Sequence, residues 1–245
     1  KYANIASMKS HGIEFTISSK NIQSKDFSWN TDFIFSKAKN EVTELNARSS
    51  VMDLVTGYGF ARQGYPVRGL FSIPFVGLSS NGIPMYNING KITSTDIDFQ
   101  TRDNIDYLKY EGPTDPTITG SFGNIFTYKA FKLNVFITYS FGNVVRLNPC
   151  FNYQYSDLSS MPREFKNRWT VPGDEKHTNI PAIISKRQYE DNKDLMYAYN
   201  AYNYSTERIA KGDFIRMKEI SLSYDFPKSW ITSAKISNLS MKLQA

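Results

Sequence analysis

Segments in which apolar and polar residues alternate constrain the fold more than any other feature of this chain. At residues 12–19, for example, Ile13, Phe15 and Ile17 alternate with polar residues. Because successive side chains of a β-strand point to opposite faces, this period of two predicts strands with one apolar and one polar face. We predict strands at residues 12–19, 27–35, 69–76, 85–88, 117–129, 131–141, 214–226 and 235–245.

The connections between the predicted strands alternate between short and long. Short connections follow the first, third, fifth and seventh strands, whereas long ones follow the second, fourth and sixth. The loops of a soluble sandwich have similar lengths at both ends, whereas a transmembrane β-barrel has tight periplasmic turns and long extracellular loops. The alternation therefore predicts an all-β fold, namely an antiparallel transmembrane β-barrel segment of about eight strands.

The composition is consistent with strands that have one apolar face. The 245 residues include 16 Tyr and 17 Phe, yet the mean hydropathy is -0.44. The most apolar run, residues 71–78, contains Pro74 and is far shorter than the roughly 18–20 apolar residues of a membrane-spanning helix. This excludes a helical membrane protein.

The charged residues and the single cysteine indicate no nucleic-acid, disulfide or metal chemistry. The net charge is +6, but the basic residues are scattered and form no phosphate-binding track. Cys150 cannot form an intrachain disulfide, and His11 and His177 lie far apart without a neighbouring ligand motif. The stretch 57–59 lacks the Lys-Ser/Thr step of a phosphate-binding loop. We predict no nucleic-acid partner, no metal and no cofactor.

Three acidic residues are candidates for the paired carboxylates of a glycoside hydrolase, namely Glu190, Asp191 and Asp194. Basic residues are interspersed with them, at Lys186, Arg187 and Lys193. Mixed charges of this kind are typical of a solvated surface. We therefore predict no catalytic residue and expect that the chain is not an enzyme.

Residues 144–212 show no sustained alternation, and we predict that they form a long extracellular loop. The Tyr- and Asn-rich run 197–204 within them offers ring faces for stacking on sugars and amides for hydrogen bonds to hydroxyls. Packing of this run on its neighbours or on a partner protein is the alternative interpretation. No substrate-binding residue is assigned from it.

Several aromatic residues lie near the ends of predicted strands. They are Trp29, Tyr128, Phe131 and Trp230. Such residues form girdles at the two membrane interfaces of a barrel, although ordinary core packing would also explain them. We predict the girdle.

Four segments, in order, resemble the C-terminal barrel half of the SusC/RagA family of TonB-linked outer-membrane transporters. They are residues 11–45, 110–143, 164–175 and 202–227. The resemblance implies part of a barrel of about 22 strands with a plugged lumen, in the outer membrane of a gram-negative bacterium. It also implies uptake of oligosaccharides or peptides, a SusD-like lipoprotein partner and energy supplied by the TonB–ExbB–ExbD complex.

The resemblance further predicts that residues 1–245 form a partial C-terminal barrel domain. The plug, the TonB-contacting region, the first barrel strands and the last ones would lie outside it, so we expect no transport by this piece alone. Two alternatives remain open from the sequence. One is a soluble all-β carbohydrate-binding module, and the other is a TonB-dependent siderophore or cobalamin receptor.

Overall fold

The computed structural model describes residues 5–57, 61–151, 160, 162–232 and 235–245. The chain divides into two compact units, which we call the loop unit and the sheet unit. The loop unit comprises residues 1–9, 40–115 and 143–211, and the sheet unit comprises residues 10–39, 116–142 and 212–245.

Most of the regular structure is β-strand. The strands are β1 (Ala6–Gln23), β2 (Phe27–Leu45), β3 (Gly69–Ser72), β4 (Phe75–Leu78), β5 (Pro84–Ile88), β6 (Lys91–Thr93), β7 (Lys109–Pro113), β8 (Ile118–Tyr128), β9 (Phe131–Phe141), β10 (Val144–Arg146), β11 (Ile209–Lys211), β12 (Phe214–Asp225) and β13 (Ser240–Gln244). The α-helices are α1 (Val51–Thr56), α2 (Lys186–Asp191), α3 (Leu195–Asn203) and α4 (Lys228–Ile231), and short 3-10 helices span Arg163–Asn167, Asp174–Lys176 and Thr206–Arg208. No helix in these described ranges has both the length and the apolar character required to cross a membrane.

The sheet unit is built on a six-stranded sheet with the order β1-β2-β8-β9-β12-β13. The pairs β2–β8, β8–β9, β9–β12 and β12–β13 are all antiparallel. A two-residue turn joins β8 to β9, and its first residue, Lys129, adopts a positive φ of 52°. Tight hairpins favour such a backbone because its twist matches that of the flanking strands.

The predicted strands at 69–76 and 85–88 form, but outside this sheet, so the six-stranded sheet replaces the expected eight. The first is divided at Pro74 into β3, which pairs with β7, and β4, which joins β5 and β6. These strands have only four or five residues each, whereas a strand needs about 9–11 to cross a membrane. The alternation of short and long connections persists among the six.

The loop unit has a hydrophobic core of its own, although residues 144–211 within it lack sustained alternation. One cluster of buried residues includes Val51 and Val55 of α1 together with Phe71, Ile73 and Tyr86. A second cluster centres on Phe151, Phe165 and residues of α3. The region predicted as one long loop, 144–212, therefore contributes helices and buried side chains to a folded unit.

Candidate functional site

One face of the six-stranded sheet is apolar across every strand. A single row runs from Phe33 through Phe122 and Ile137 to Met217, because these residues are direct cross-strand partners. A second row of direct cross-strand partners runs beside the first and consists of Leu133, Leu222 and Leu243. Exposed apolar side chains on this face include Ile13, Phe15, Ile17, Phe122, Phe131, Ile215, Met217, Leu222, Met241 and Leu243. Within the sheet unit, this exposed apolar surface is suited to contact with lipid.

The opposite face is mostly polar and carries its own hydrogen bonds between neighbouring strands. Ser18 donates to Asp32 at 2.6 Å, and Ser36 donates to Glu14 at 2.9 Å. At the other side of the sheet, Lys242 Nζ lies 3.0 Å from Glu219 Oε1. A sheet with one apolar and one polar face is what a membrane barrel needs, with the polar face toward the lumen.

A β-bulge in β12 keeps the two faces separate. The register with β9 shifts between Met217 and Glu219, so that Lys218 is the extra residue. Apolar residues occupy odd positions before the bulge, as at Ile215, and even positions after it, as at Ile220. Without this shift, the residues after the bulge would point to the wrong face.

A small polar cluster interrupts the apolar face. Asn124 Oδ1 accepts hydrogen bonds from Trp29 Nε1 at 2.9 Å and from Thr31 Oγ1 at 2.8 Å. The amide of Asn21 in turn donates to Thr31 Oγ1 at 2.6 Å. Polar groups in a lipid-facing surface must find partners within the protein, and this cluster does so. Asn124 was not predicted as a functional residue, although its place as a polar residue midway between Phe122 and Phe126 was a usable signal.

Gly120 lies on the same face beneath the ring of Tyr139. The Tyr139 hydroxyl passes over Gly120 and donates to the Ile34 carbonyl at 2.9 Å, thereby linking β9 to β2. A Cβ atom at position 120 would overlap both the Tyr139 hydroxyl and the Ile34 carbonyl oxygen. This close approach requires glycine.

The aromatic residues predicted to form interfacial girdles occupy two places. Trp29 stacks on Phe126, and Tyr128 faces Phe131 at the hairpin end of the β8–β9 pair. Trp230 lies in α4 and is largely exposed. Trp29, Tyr128 and Phe131 lie near strand ends, as predicted, whereas Trp230 lies in a helix after β12. The interfacial role of all four stays a prediction.

Arg146 joins several segments of the loop unit. Its guanidinium donates to the carbonyl oxygens of Val55, Phe71 and Ser205, at 3.0, 2.6 and 3.2 Å. Burial lowers the pKa of Arg146 to about 10, which leaves it protonated at neutral pH. Arg146 was not predicted as a structural residue, because its backbone acceptors come from three separate segments.

The Tyr-rich run divides between the core and the surface. Tyr199 and Tyr202 of α3 are buried, as the packing interpretation predicted, and Tyr199 donates to the Ala182 carbonyl at 2.7 Å. Tyr197 and Asn200, by contrast, line a cavity of about 550 Å³ in the loop unit. Among the described residues, 98–100, Met52, Phe151 and Met196 also line it. Residues 98–100 were not predicted, because no sequence pattern connects them to the run.

The acidic residues and histidines considered for catalysis or metal binding are all exposed. The three acidic candidates on or beside α2 are exposed, namely Glu190, Asp191 and Asp194. Glu190 Oε1 lies 3.7 Å from Lys186 Nζ. His11 is exposed on β1, in the sheet unit, and His177 is exposed in the loop unit. Among the described residues, no group of His, Cys, Asp and Glu side chains is arranged to hold a metal ion. Of the stretch 57–59, only Gly57 lies within the described residues, where it ends α1 with a φ of 69°.

Cys150 is buried beside Phe151 and Phe165 in the second core cluster. Burial raises the pKa of its thiol to about 12. A thiol with this pKa is almost entirely protonated at neutral pH and is a poor nucleophile. Its position agrees with a structural role.

No family model matches the chain. Among curated proteins, it is 25% identical to the TonB-dependent receptor P3 of Formosa agariphila, over 93% of this chain and 23% of that protein. It is 26% identical to the TonB-dependent receptor SusC of Bacteroides thetaiotaomicron, over 94% of this chain and 22% of that protein. The chain thus spans less than a quarter of the length of these relatives.

Solved structures of the RagAB peptide transporter have the same fold. One is matched with a TM-score of 0.70 at 20% identity, over 100% of this chain and 26% of that one. The open-open state of the RagAB peptide importer is matched with a TM-score of 0.67 at 19% identity, over 100% of this chain and 25% of that one. These matches confirm the predicted fold class and outer-membrane location. Over nearly all of its length, the chain is similar to the SusC/RagA-type TonB-dependent transporters.

Proposed function

We propose that the chain forms part of the barrel wall and the extracellular loops of a TonB-dependent importer of oligosaccharides or peptides. The observation that carries the proposal is the six-stranded sheet with one apolar and one polar face. An apolar face suits contact with lipid, and a polar face suits a lumen through which a hydrophilic nutrient passes. The similarity to proteins named TonB-dependent receptors supports the same function.

We further propose that the complete protein works with a SusD-like lipoprotein outside and with the TonB–ExbB–ExbD complex through regions beyond this chain. The role is binding and passage rather than catalysis. The relatives named as receptors and transporters support a protein that is not an enzyme.

Deletion of the complete gene tests this function. We expect the deletion strain to lose growth on one class of oligosaccharide or peptide as sole nutrient, and to regain it with the wild-type gene. A strain that lacks TonB should behave like the deletion strain. Unchanged growth on every such nutrient, together with a growth defect only under iron or cobalamin limitation, would favour the siderophore or cobalamin receptor instead.

Solubility of the complete protein tests the remaining alternative. We expect the protein in the outer-membrane fraction, extractable only with detergent, because the apolar face of the sheet requires lipid. Recovery as a monodisperse monomer without detergent would contradict the importer and support the soluble carbohydrate-binding module.

A further inference from the structure

The cavity beside α3 has the size and the walls of a small-molecule site. Its volume of about 550 Å³ lies within the range of roughly 300–1,000 Å³ that is typical of ligand pockets. Phe99 and Phe151, both buried, give it an apolar floor. Asp98, Gln100 and Asn200 add polar groups at its walls.

The segment that carries Asp98 and Gln100 is held in place by its own hydrogen bonds. Asp98 Oδ1 accepts from the Gln100 backbone N–H at 2.8 Å. The carbonyl of Phe99 accepts from the backbone N–H of Met52, in the first turn of α1, at 2.9 Å. These contacts fix the segment before any ligand arrives, which reduces the entropy lost on binding.

The wall formed by α3 is equally well anchored. Ala198, between Tyr197 and Asn200, is fully buried, and its carbonyl accepts a hydrogen bond from the Tyr86 hydroxyl at 2.6 Å. Burial raises the pKa of Tyr86, so this hydroxyl remains a donor at neutral pH. The Tyr197 side chain, by contrast, is 40% exposed and keeps ring surface available to a ligand.

The polar groups narrow the class of ligand. None of the described residues that line the cavity is basic, so an anionic ligand would find no counter-charge there. Amides donate and accept hydrogen bonds, and a carboxylate accepts them, which matches the hydroxyl groups of a sugar. An aromatic ring can pack against the apolar C–H face of a pyranose.

We propose that this cavity binds a neutral sugar unit of an oligosaccharide, with Tyr197 stacked on the ring and Asn200, Gln100 and Asp98 bonded to its hydroxyls. The inference rests on the proposed import function, to which it adds a substrate class and a site. An uncharged sugar satisfies both the apolar floor and the polar walls, because its C–H face is apolar and its hydroxyl groups donate and accept hydrogen bonds.

Binding to the complete protein in detergent tests the inference. A glycan array with neutral and uronic-acid-containing oligosaccharides identifies the ligand, and titration calorimetry measures its affinity beside that of trialanine and trilysine. We expect a neutral oligosaccharide to bind. Tyr197→Ala should weaken its binding about tenfold, since an aromatic contact contributes up to that factor, and Tyr197→Phe should stay within about threefold of wild type.

Matched variants distinguish the loss of a ligand contact from a general loss of folding. Asn200→Ala should weaken binding about fivefold through the lost hydrogen bonds, whereas Tyr128→Ala, an exposed tyrosine that does not line the cavity, should have no effect. Binding of acidic glycans only, of peptides only, or of no glycan would overturn the inference. So would an unchanged affinity in both cavity variants.

The growth assay tests the import function separately from the binding measurement, which tests the sugar site. If the wild-type gene restores growth on an oligosaccharide and Tyr197→Ala restores it equally, with equal affinity, only the sugar site is wrong. If the protein binds the sugar but the deletion strain grows normally, only the import function is wrong.

Discussion

A polar residue on the apolar face of the sheet needs hydrogen-bond partners within the protein. Asn124 is the common acceptor for Trp29 and Thr31. Asn124→Ala should destabilise the complete protein by about 1–3 kcal/mol, because two donors then lack a partner in an apolar environment. Urea unfolding in detergent measures the change, with Thr119→Ala on the polar face as control. Equal stability of the two variants would contradict the role of the cluster.

Two glycines of the same strand provide a matched pair. A methyl group at Gly120 would overlap the Ile34 carbonyl oxygen, whereas at Gly123 the nearest atom is Phe136 Cδ2 at 3.3 Å. Gly120→Ala should therefore reduce the amount of folded protein in the outer membrane severalfold, and Gly123→Ala should do so much less. Heat-modifiable migration on gels measures the folded fraction. A smaller effect at position 120 than at position 123 would refute the close approach.

Residue-level features were the least predictable from the sequence. Alternation correctly placed Ile13, Phe15 and Ile17 on one face of β1, since it depends only on position along a strand. The partners of Arg146 and the walls of the cavity depend on segments that are far apart in the chain, and no local pattern reports such contacts.

Among the elements, β12 carries the sharpest test because of its bulge. Deletion of Lys218 should be tolerated, since Met217 and Glu219 would then alternate regularly and every later residue would keep its face. Deletion of Ser221 should prevent folding, because Leu222 and Tyr224 would move to the polar face. The folded fraction in outer membranes distinguishes the two. Similar losses in both variants would exclude the bulge.

Element prediction located both long and short strands, but only the long ones join the large sheet, whereas those at 69–76 and 85–88 form smaller sheets. The strands at 12–19, 27–35 and 131–141 form in the sheet. Alternation over many residues is compatible with only one strand register, the one that puts every apolar side chain on the same face. Residues 69–76 have strand character too, but their length and Pro74 suit them only to small sheets in the loop unit. The loop unit itself is stabilised by tertiary packing, which periodicity does not detect.

For the whole molecule, the predicted extracellular location of residues 144–212 can be tested by labelling intact cells. His177→Cys should react with a membrane-impermeant maleimide, because residue 177 is exposed in the loop unit. Ala130→Cys, in the β8–β9 turn, should react only after lysis. Background from Cys150 should be low, because burial raises its pKa to about 12. Labelling of residue 130 alone on intact cells would reverse the orientation, and labelling of both sites would contradict their placement on opposite sides of the membrane.

The order of strands in the large sheet has a consequence for the chain in isolation. Among the described strands, β1 and β13 each have one neighbour in that sheet, so each presents a row of backbone N–H and C=O groups along its free edge. Such edges add strands from other molecules. Expressed without the rest of a barrel, the chain should form polydisperse edge-to-edge oligomers in detergent, as light scattering would record. The solubility of the sheet as a monomer therefore depends on neighbouring strands that cover its two edges. The same unpaired edges that allow a barrel to close make the isolated chain prone to aggregation.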